Sequence, residues 1–412
     1  MGSFATLDAF TERFSESRVL VRLDLNSPIE GGTVQDNRRF SRHARTVSEL
    51  ADAGHRVVCL AHQGRPGRED FTHLDQHAEI LGENVGRSVQ FVEDVCGEDA
   101  LAAIEDADPG DVLLLDNVRM HEDELADREP AEHAESELVQ CLAGAADAYV
   151  NDAYSAAHRG HASLVGFPHV LPAYAGRVME TEYEANSAIA SREFEGTVTM
   201  AVGGTKATDV IQVMDAIGDK VDAFCLGGIA GELFLRAAGH PVGEDVDDSA
   251  RFDDQWERNE ATIRTVLDER GDQIHLPLDL AYEGAYGDRS EVDLWEVEEK
   301  TTSFLDIGTG TVDAYRDIVA DSEAVFVKGA LGVFEDERFA DGTVGVLEAI
   351  AETDCFSVVG GGDTSRAIEM YGLDENDFSH VSIAGGAYIR ALTGEPLVAI
   401  EALENCRPKT EA

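Results

Sequence analysis

Eleven short apolar runs rich in β-branched residues, most followed by a stretch of helical period, constrain this chain more than any other feature. Strands separated by helices cannot turn back as tight hairpins, so they align in parallel sheets with helices on both faces. In the first half the expected strands are Val19–Leu25, Val57–Ala61, Val89–Val92, Val112–Leu115 and Ala148–Asn151. In the second half they are Val198–Val202, Ala223–Leu226, Gln273–Pro277, Ala324–Val327, Phe356–Val359 and Val381–Ile383. At 412 residues the chain is too long for one hydrophobic core, so two domains are expected. The segment 173–191 lacks strand alternation and is rich in helix formers, which predicts a connecting helix between them. The fold class is therefore α/β: two doubly wound parallel-sheet domains of Rossmann-like type, joined by a long helix hinge. The expected boundaries are 1–172, 173–191, 192–390 and a C-terminal segment 391–412.

The two halves end their strands differently. In the second half the runs lead into glycines, as in AVGGTKATD (201–209), CLGGIAGEL (225–233), VKGALGVFE (327–335) and VVGGGDTSRA (358–367). In the first they lead into basic and amide residues, as in VRLDLN (21–26), LAHQGRP (60–66), LLLDNVRMH (113–121) and YVNDAYSAAHRGH (149–161). Ligands of open α/β sheets bind at the carboxyl ends of the strands. One half thus offers bare backbone to an anion, the other offers cations.

Charge narrows the partners. The 82 Asp and Glu against 32 Lys and Arg give a formal net charge of −50, which repels nucleic acid and anionic membranes. Self-repulsion of this size favours a salt-rich cytosol, where the Debye length falls to about 3 Å at 1 M. Only five lysines occur, Lys206, Lys220, Lys300, Lys328 and Lys409. The six cysteines form no C-x-x-C pair and suit a reduced compartment. The start carries no signal-peptide pattern and no run reaches the ~18 apolar residues of a membrane helix, so a cytoplasmic location is expected.

Gly360-Gly361-Gly362-Asp363-Thr364 follows an apolar run and opens a helix, a place where free N–H groups meet phosphate. Asp363 suits a Mg²⁺ that carries phosphate oxygens, and equally an N-cap. Gly203-Gly204-Thr205-Lys206 puts a rare lysine at a helix start, without the P-loop spacing. Arg22, Arg39, His62, Arg65, Arg119, His158, Arg159 and His161 follow strands or strand loops in the first half. Any one of them has an ordinary reading as a surface partner for a carboxylate; all of them together suit a small polyanionic substrate. A nicotinamide dehydrogenase would need an early G-x-G-x-x-G, and Gly308-Thr309-Gly310-Thr311 is a poor match.

VRLDLNSPIEGGTVQDNRR, AHQGRP, LLDNVRMH, VNDAYSAAHRGHAS, AVGGTKATDVIQVM, LPLDL, KGALGVFE and VVGGGDTS together resemble the signatures of phosphoglycerate kinase, in that family's order. The resemblance implies phosphoryl transfer between 1,3-bisphosphoglycerate and ADP, giving 3-phosphoglycerate and ATP with Mg²⁺, in a monomer. It implies phosphoglycerate binding by Asp24, Leu25, Asn26, Arg39, His62, Gln63, Gly64, Arg65, Arg119 and Arg159. It further implies nucleotide binding by Lys206, Glu335, Gly361, Gly362, Asp363 and Thr364, with Asp363 on the metal and Arg39 and Lys206 catalytic. The C-terminal segment is implied to pack back on the first lobe. Two departures stand out: many members carry lysine where this chain has Val210, and Lys328-Gly329-Ala330 replaces Asn-Gly-Pro. They leave open a catalytically silent nucleotide-binding protein of the same fold.

Overall fold

The computed structural model describes residues 4–188, 192–242, 250–299 and 302–406. The chain divides into two compact units. One runs up to Glu184 and takes in the chain from Glu395 onward; the other is Ala185–Gly394.

The first unit contains β1 (Arg18–Arg22), β2 (Ile29–Glu30), β3 (Thr33–Val34), β4 (Arg56–Leu60), β5 (Val89–Val92), β6 (Val112–Leu115), β7 (Ala148–Asn151) and β8 (Ala173–Ala175). Six of these form a wholly parallel sheet in the order β5-β6-β4-β1-β7-β8. Its central strands are apolar on both faces because helices cover both: Val19, Leu20 and Val21 of β1 have no exposed surface. β2 and β3 are an antiparallel pair turned by Gly31 and Gly32 at φ +58° and +86°, the two positive values a type I′ turn requires. Since β1, β4, β6 and β7 run the same way, the residues after each emerge at one edge of the sheet. This is how four separate motifs become one site.

The second unit holds β9 (Thr197–Val202), β10 (Ala223–Leu226), β11 (Ile274–His275), β12 (Asp279–Glu283), β13 (Arg289–Asp293), β14 (Phe304–Ile307), β15 (Ser322–Lys328), β16 (Phe356–Gly360) and β17 (His380–Val381). Six of them form a second parallel sheet, β11-β10-β9-β15-β16-β17. The ends of β9, β10, β15 and β16 bring the glycine turns to one edge. β13-β12-β14 form a small antiparallel sheet around a core of its own with Leu280, Val292 and Phe304.

Two sequence expectations are corrected, and one sheet was not foreseen. Residues 173–175 are not helical: Ala173–Ala175 pair with Tyr149–Asn151 as the edge strand β8, and the helix starts at Arg177 and runs to Asn186. Three small or aromatic residues buried between sheet and helix read as helix formers until a neighbouring strand is there to pair with them. Residues 189–191 lie outside the described residues. The run Gln273–Pro277 gives a strand of only two residues, Ile274–His275. The antiparallel sheet was not foreseen, because β13 reads Arg-Ser-Glu-Val-Asp and shows a single apolar residue. At the C-terminus, the Gly386–Thr393 helix belongs to the second unit. The Val398–Asn405 helix lies in the first, where Ala399 N–H donates to the Ala157 carbonyl at 3.0 Å.

Candidate active site

In the first unit, backbone caps aim the cations. Asn37 caps the Arg38–Asp52 helix, its side chain accepting from Arg39 N–H at 2.9 Å. That fixes Arg39 in the first turn, from which Nη1 reaches Asp24 Oδ2 at 2.8 Å and the Asn26 carbonyl at 3.1 Å. Asn117 does the same for Arg119. Its side chain accepts from Arg119 N–H at 3.1 Å and donates to the Gln63 and Thr72 carbonyls at 2.8 and 2.9 Å. Arg119 is buried and donates to the Gly64 carbonyl, while its Nε has no partner. Gly64 N–H in turn donates to Asn26 Oδ1 at 2.8 Å. Gly64 sits at φ +61° against the backbone of residues 70 and 71, where a Cβ would collide.

The arginines are close enough to disturb one another. Burial and the charges of Arg159 and Arg22 push Arg119 down to about 10. Burial, resisted by Asp24, also lowers Arg159, with Arg22, Arg65 and Arg39 acting in the same direction. A guanidinium stays charged under such shifts, so the site carries an excess of positive potential with few carboxylates to offset it. His62 is buried with Nδ1 3.0 Å from Arg22 Nη2. Burial first, against the pull of Asp24, and then Arg22, Arg119 and Arg159 hold it far below its usual range, so its ring is neutral. His161 is pushed down to about 3, by burial and then by Arg119 and Arg22.

Asp24 plays another part than an anion contact. Burial would raise its pKa, yet Arg39, Ser155 and Arg22 together hold it well below the carboxylate range. It is an ionised brace for Arg39, and Ser155, which sequence reasoning missed, donates its hydroxyl to it. Gln63 and Leu25 are scaffold as well. The Gln63 amide is spent on Ser27, Asp70 and His77, and Leu25 lies in the core, leaving only backbone to face a ligand. Beneath them Arg22, fully buried, is held by Ser163 Oγ at 2.8 Å, and Glu124 accepts from the same hydroxyl and from Ser163 N–H, each at 2.8 Å. Arg65 alone of the cluster is exposed.

In the second unit the glycines do two jobs. Gly203 N–H donates to the Lys328 carbonyl, Gly204 N–H to Ala330 and Gly228 N–H to Leu331, at 2.8 to 2.9 Å. These turns interlock so closely that a Cβ on Gly203 would strike the Ala330 carbonyl. Gly204, at φ +96°, and Gly362 instead face open space, so a ligand can approach the backbone closely there. Gly362 starts a nine-residue helix whose second residue is Asp363. Thr364 is fully buried with its hydroxyl on the Gly360 carbonyl at 2.8 Å, so it shapes the turn and leaves its N–H to a ligand. Lys206 is exposed at the N-cap of the Ala207–Ile217 helix. Val210 is buried on that helix, and Lys328 Nζ reaches Asp209 Oδ2 at 3.2 Å.

A cavity of about 480 Å³ is lined by Gly204, Asp363 and Glu335 at polar points and by Ile229, Leu280 and Val333 among its apolar walls. Glu335 is exposed and lies 3.6 Å from Arg366 Nη1. Among the described residues no three His, Cys, Asp or Glu gather to hold a metal. Asp363 as a lone carboxylate fits a Mg²⁺ whose other ligands are phosphate oxygens and water.

The sequence pattern of phosphoglycerate kinase matches residues 8–395. The chain belongs to the phosphoglycerate kinase family. A phosphoglycerate kinase of Halorubrum lacusprofundi is 71% identical over 404 residues, 98% of each chain. One of Haloarcula marismortui is 64% identical, over 98% of this chain and 100% of its own. The crystal structure of phosphoglycerate kinase from Pyrococcus horikoshii superposes with a TM-score of 0.89 at 32% identity, covering 97% of this chain and 98% of that one. Nothing in these likenesses favours the silent nucleotide-binding protein, nor a dehydrogenase.

Proposed function

We propose that the chain catalyses reversible phosphoryl transfer between 1,3-bisphosphoglycerate and ADP, giving 3-phosphoglycerate and ATP. The carrying observation is the cluster of Arg39, Arg65, Arg119 and Arg159 around Arg22, in which burial and the neighbouring guanidinium charges lower Arg119 and Arg159, a strain that a small polyanion would relieve. Asn26, Gly64 and the neutral His62 complete the phosphoglycerate side, with Asp24, Leu25 and Gln63 holding the frame. On the nucleotide side, Lys206 and the open N–H groups of Gly361 to Thr364 would receive phosphate oxygens, and Glu335 the ribose.

Phosphoryl transfer asks for placement and charge neutralisation rather than a nucleophile on the protein, because the acceptor is already an ionised carboxylate or phosphate. Arg39 and Lys206 are the catalytic pair in this reading: a braced fork and a mobile ammonium, each turned toward a transferring group. Mg²⁺, when bound, supplies neutralisation of the nucleotide phosphates, and Asp363 would hold it. We further read the enzyme as a cytoplasmic monomer of a salt-rich cell, without nucleic-acid or membrane partners. The charge of −50 supports this, and no described helix is long and apolar enough to cross a membrane. The test is ATP turnover coupled to 3-phosphoglycerate in concentrated KCl: phosphorylation of the acid supports the reading, and nucleotide binding without turnover overturns it.

A further inference from the structure

Of the five lysines in the chain, Lys328 holds a place on the nucleotide side to which the reaction as described gives no role. It ends β15, the middle one of the three adjacent strands β9, β15 and β16. Its register partners are Val202 on β9, which leads into Gly203-Gly204-Thr205-Lys206, and Gly360 on β16, which opens the turn before Asp363. The backbone is locked between the two turns. Gly203 N–H donates to the Lys328 carbonyl at 2.9 Å, and a Cβ on Gly361 would come within 3.9 Å of the Gly329 nitrogen. The Lys328 side chain is 12% exposed, and Nζ lies 3.2 Å from Asp209 Oδ2, its one ion-pair partner among the described residues. Asp209 is the third residue of the Ala207–Ile217 helix, at whose N-cap Lys206 stands. The ammonium of Lys328 is therefore held at the first turn of that helix, directly after Lys206.

We propose that Lys328 is a second catalytic cation of the nucleotide side: when nucleotide binds, its ammonium leaves Asp209 for the phosphate oxygens and, with Lys206, neutralises the charge on the transferring group. The inference rests on the proposed phosphoryl transfer and deepens that reading by naming a further catalytic residue.

Charge balance calls for such a group. Among the described residues the cavity beside the turns is lined by four carboxyl groups, Glu232, Asp306, Glu335 and Asp363, and by no cation. Arg289 is engaged by Asp306 at 3.0 Å, and Arg366 lies 3.6 Å from Glu335. A transferring phosphoryl group spreads negative charge over its oxygens and is stabilised by cations fixed beside it, and Lys206 is a single, exposed one. The first turn of its helix, Ala207-Thr208-Asp209-Val210, brings no second. Lys328 delivers that charge from the neighbouring strand, between the two turns whose N–H groups are open to phosphate. A compact ammonium on a four-carbon stem can change partners without backbone movement. Its present partner is weak, since Asp209 is 28% exposed and pairs with one side in water hold loosely. A phosphate makes the stronger charge-assisted contact.

The experiment measures coupled turnover, and the affinities for ADP and adenosine by calorimetry, in concentrated KCl for the full chain, Lys328→Met, Lys328→Arg and Asp209→Asn. Lys328→Met keeps the length and loses the charge. It should lower kcat about 10²-fold, as loss of one preorganised donor does, and weaken ADP about tenfold. Adenosine, which has no phosphate, should bind it within about twofold of wild type, which a collapsed or distorted site would not allow. Lys328→Arg should return part of the rate. Asp209→Asn breaks the same ion pair from the other side but frees the ammonium, so ADP should bind more tightly, by up to about fivefold. A purely structural ion pair would give weaker binding in both variants. A kcat of Lys328→Met within threefold of wild type, or ADP binding in Asp209→Asn that is not tightened, overturns the inference. If Lys328→Met fails to fold, the ADP affinity of Asp209→Asn decides alone. The two levels separate in the wild type: ADP binding without turnover overturns the phosphoryl-transfer reading itself, whereas turnover matched by Lys328→Met overturns only the role of Lys328.

Discussion

Replacing Arg39 by alanine tests both its ion pair with Asp24 and the proposed action of its guanidinium on the transferring group. Its Nη1 lies 2.8 Å from Asp24 Oδ2, with the arginine side chain 27% and the aspartate 5% exposed. Breaking a buried ion pair by removing one partner costs about 3–5 kcal/mol. Here the guanidinium is partly in water and Asp24 keeps its contacts to Ser155 and Arg22, so about 2 kcal/mol is expected. For a unit of this size that is a fall in Tm of about 4–8 °C. The loss should shrink on acidification, since Asp24 contributes stability above its unfolded pKa of 3.8 and loses it as protonation proceeds below that value. Turnover should fall further, by about 10²–10³, as when one preorganised donor is removed from a developing charge. Arg39→Lys should return charge but not the fork, and recover part of the rate. The assays are urea unfolding and coupled turnover, both in concentrated KCl. A folded Arg39→Ala protein with turnover within threefold of wild type would refute the catalytic role. Unchanged stability would refute the brace.

Other outcomes follow from the same geometry. Asp363→Asn should raise the Mg²⁺ requirement and weaken ATP binding while sparing phosphoglycerate affinity; equal loss of both in calorimetry would make Asp363 a helix cap. Asn117→Ala takes the amide donor from the buried Gln63 carbonyl and the half-buried Thr72 carbonyl and should cost about 2–3 kcal/mol, with a raised KM for 3-phosphoglycerate as Arg119 loses its anchor; an unchanged KM would show that Arg119 is held otherwise. Dilution into low salt should unfold the protein through repulsion among its carboxylates; full activity in dilute buffer would contradict the salt-adapted reading.

The parallel architecture was legible because its evidence is local. An apolar run such as VLLL at Val112–Leu115 needs cover on both faces, and the helix periods between such runs forbid hairpins. The cations at strand ends were legible for a related reason: in a parallel sheet, position after a strand is position at one edge. Other features depended on neighbours distant in sequence. Ala173–Ala175 are a strand only because Tyr149–Asn151 lie beside them. β13 carries alternate charged residues and is defined by its pairing with β12 and by Arg289 reaching Asp306 at 3.0 Å. Sequence could place Asp24 in the site but not say that it braces Arg39 with Ser155 from 131 residues away. Nor could it tell a glycine that leaves room for phosphate, as Gly204 does, from one like Gly203 that lets two turns touch. Ser163, whose hydroxyl accepts from the buried Arg22 and donates to Glu124, carried no signal at all, because which polar side chains meet inside the fold is decided by the face that the tertiary packing turns inward.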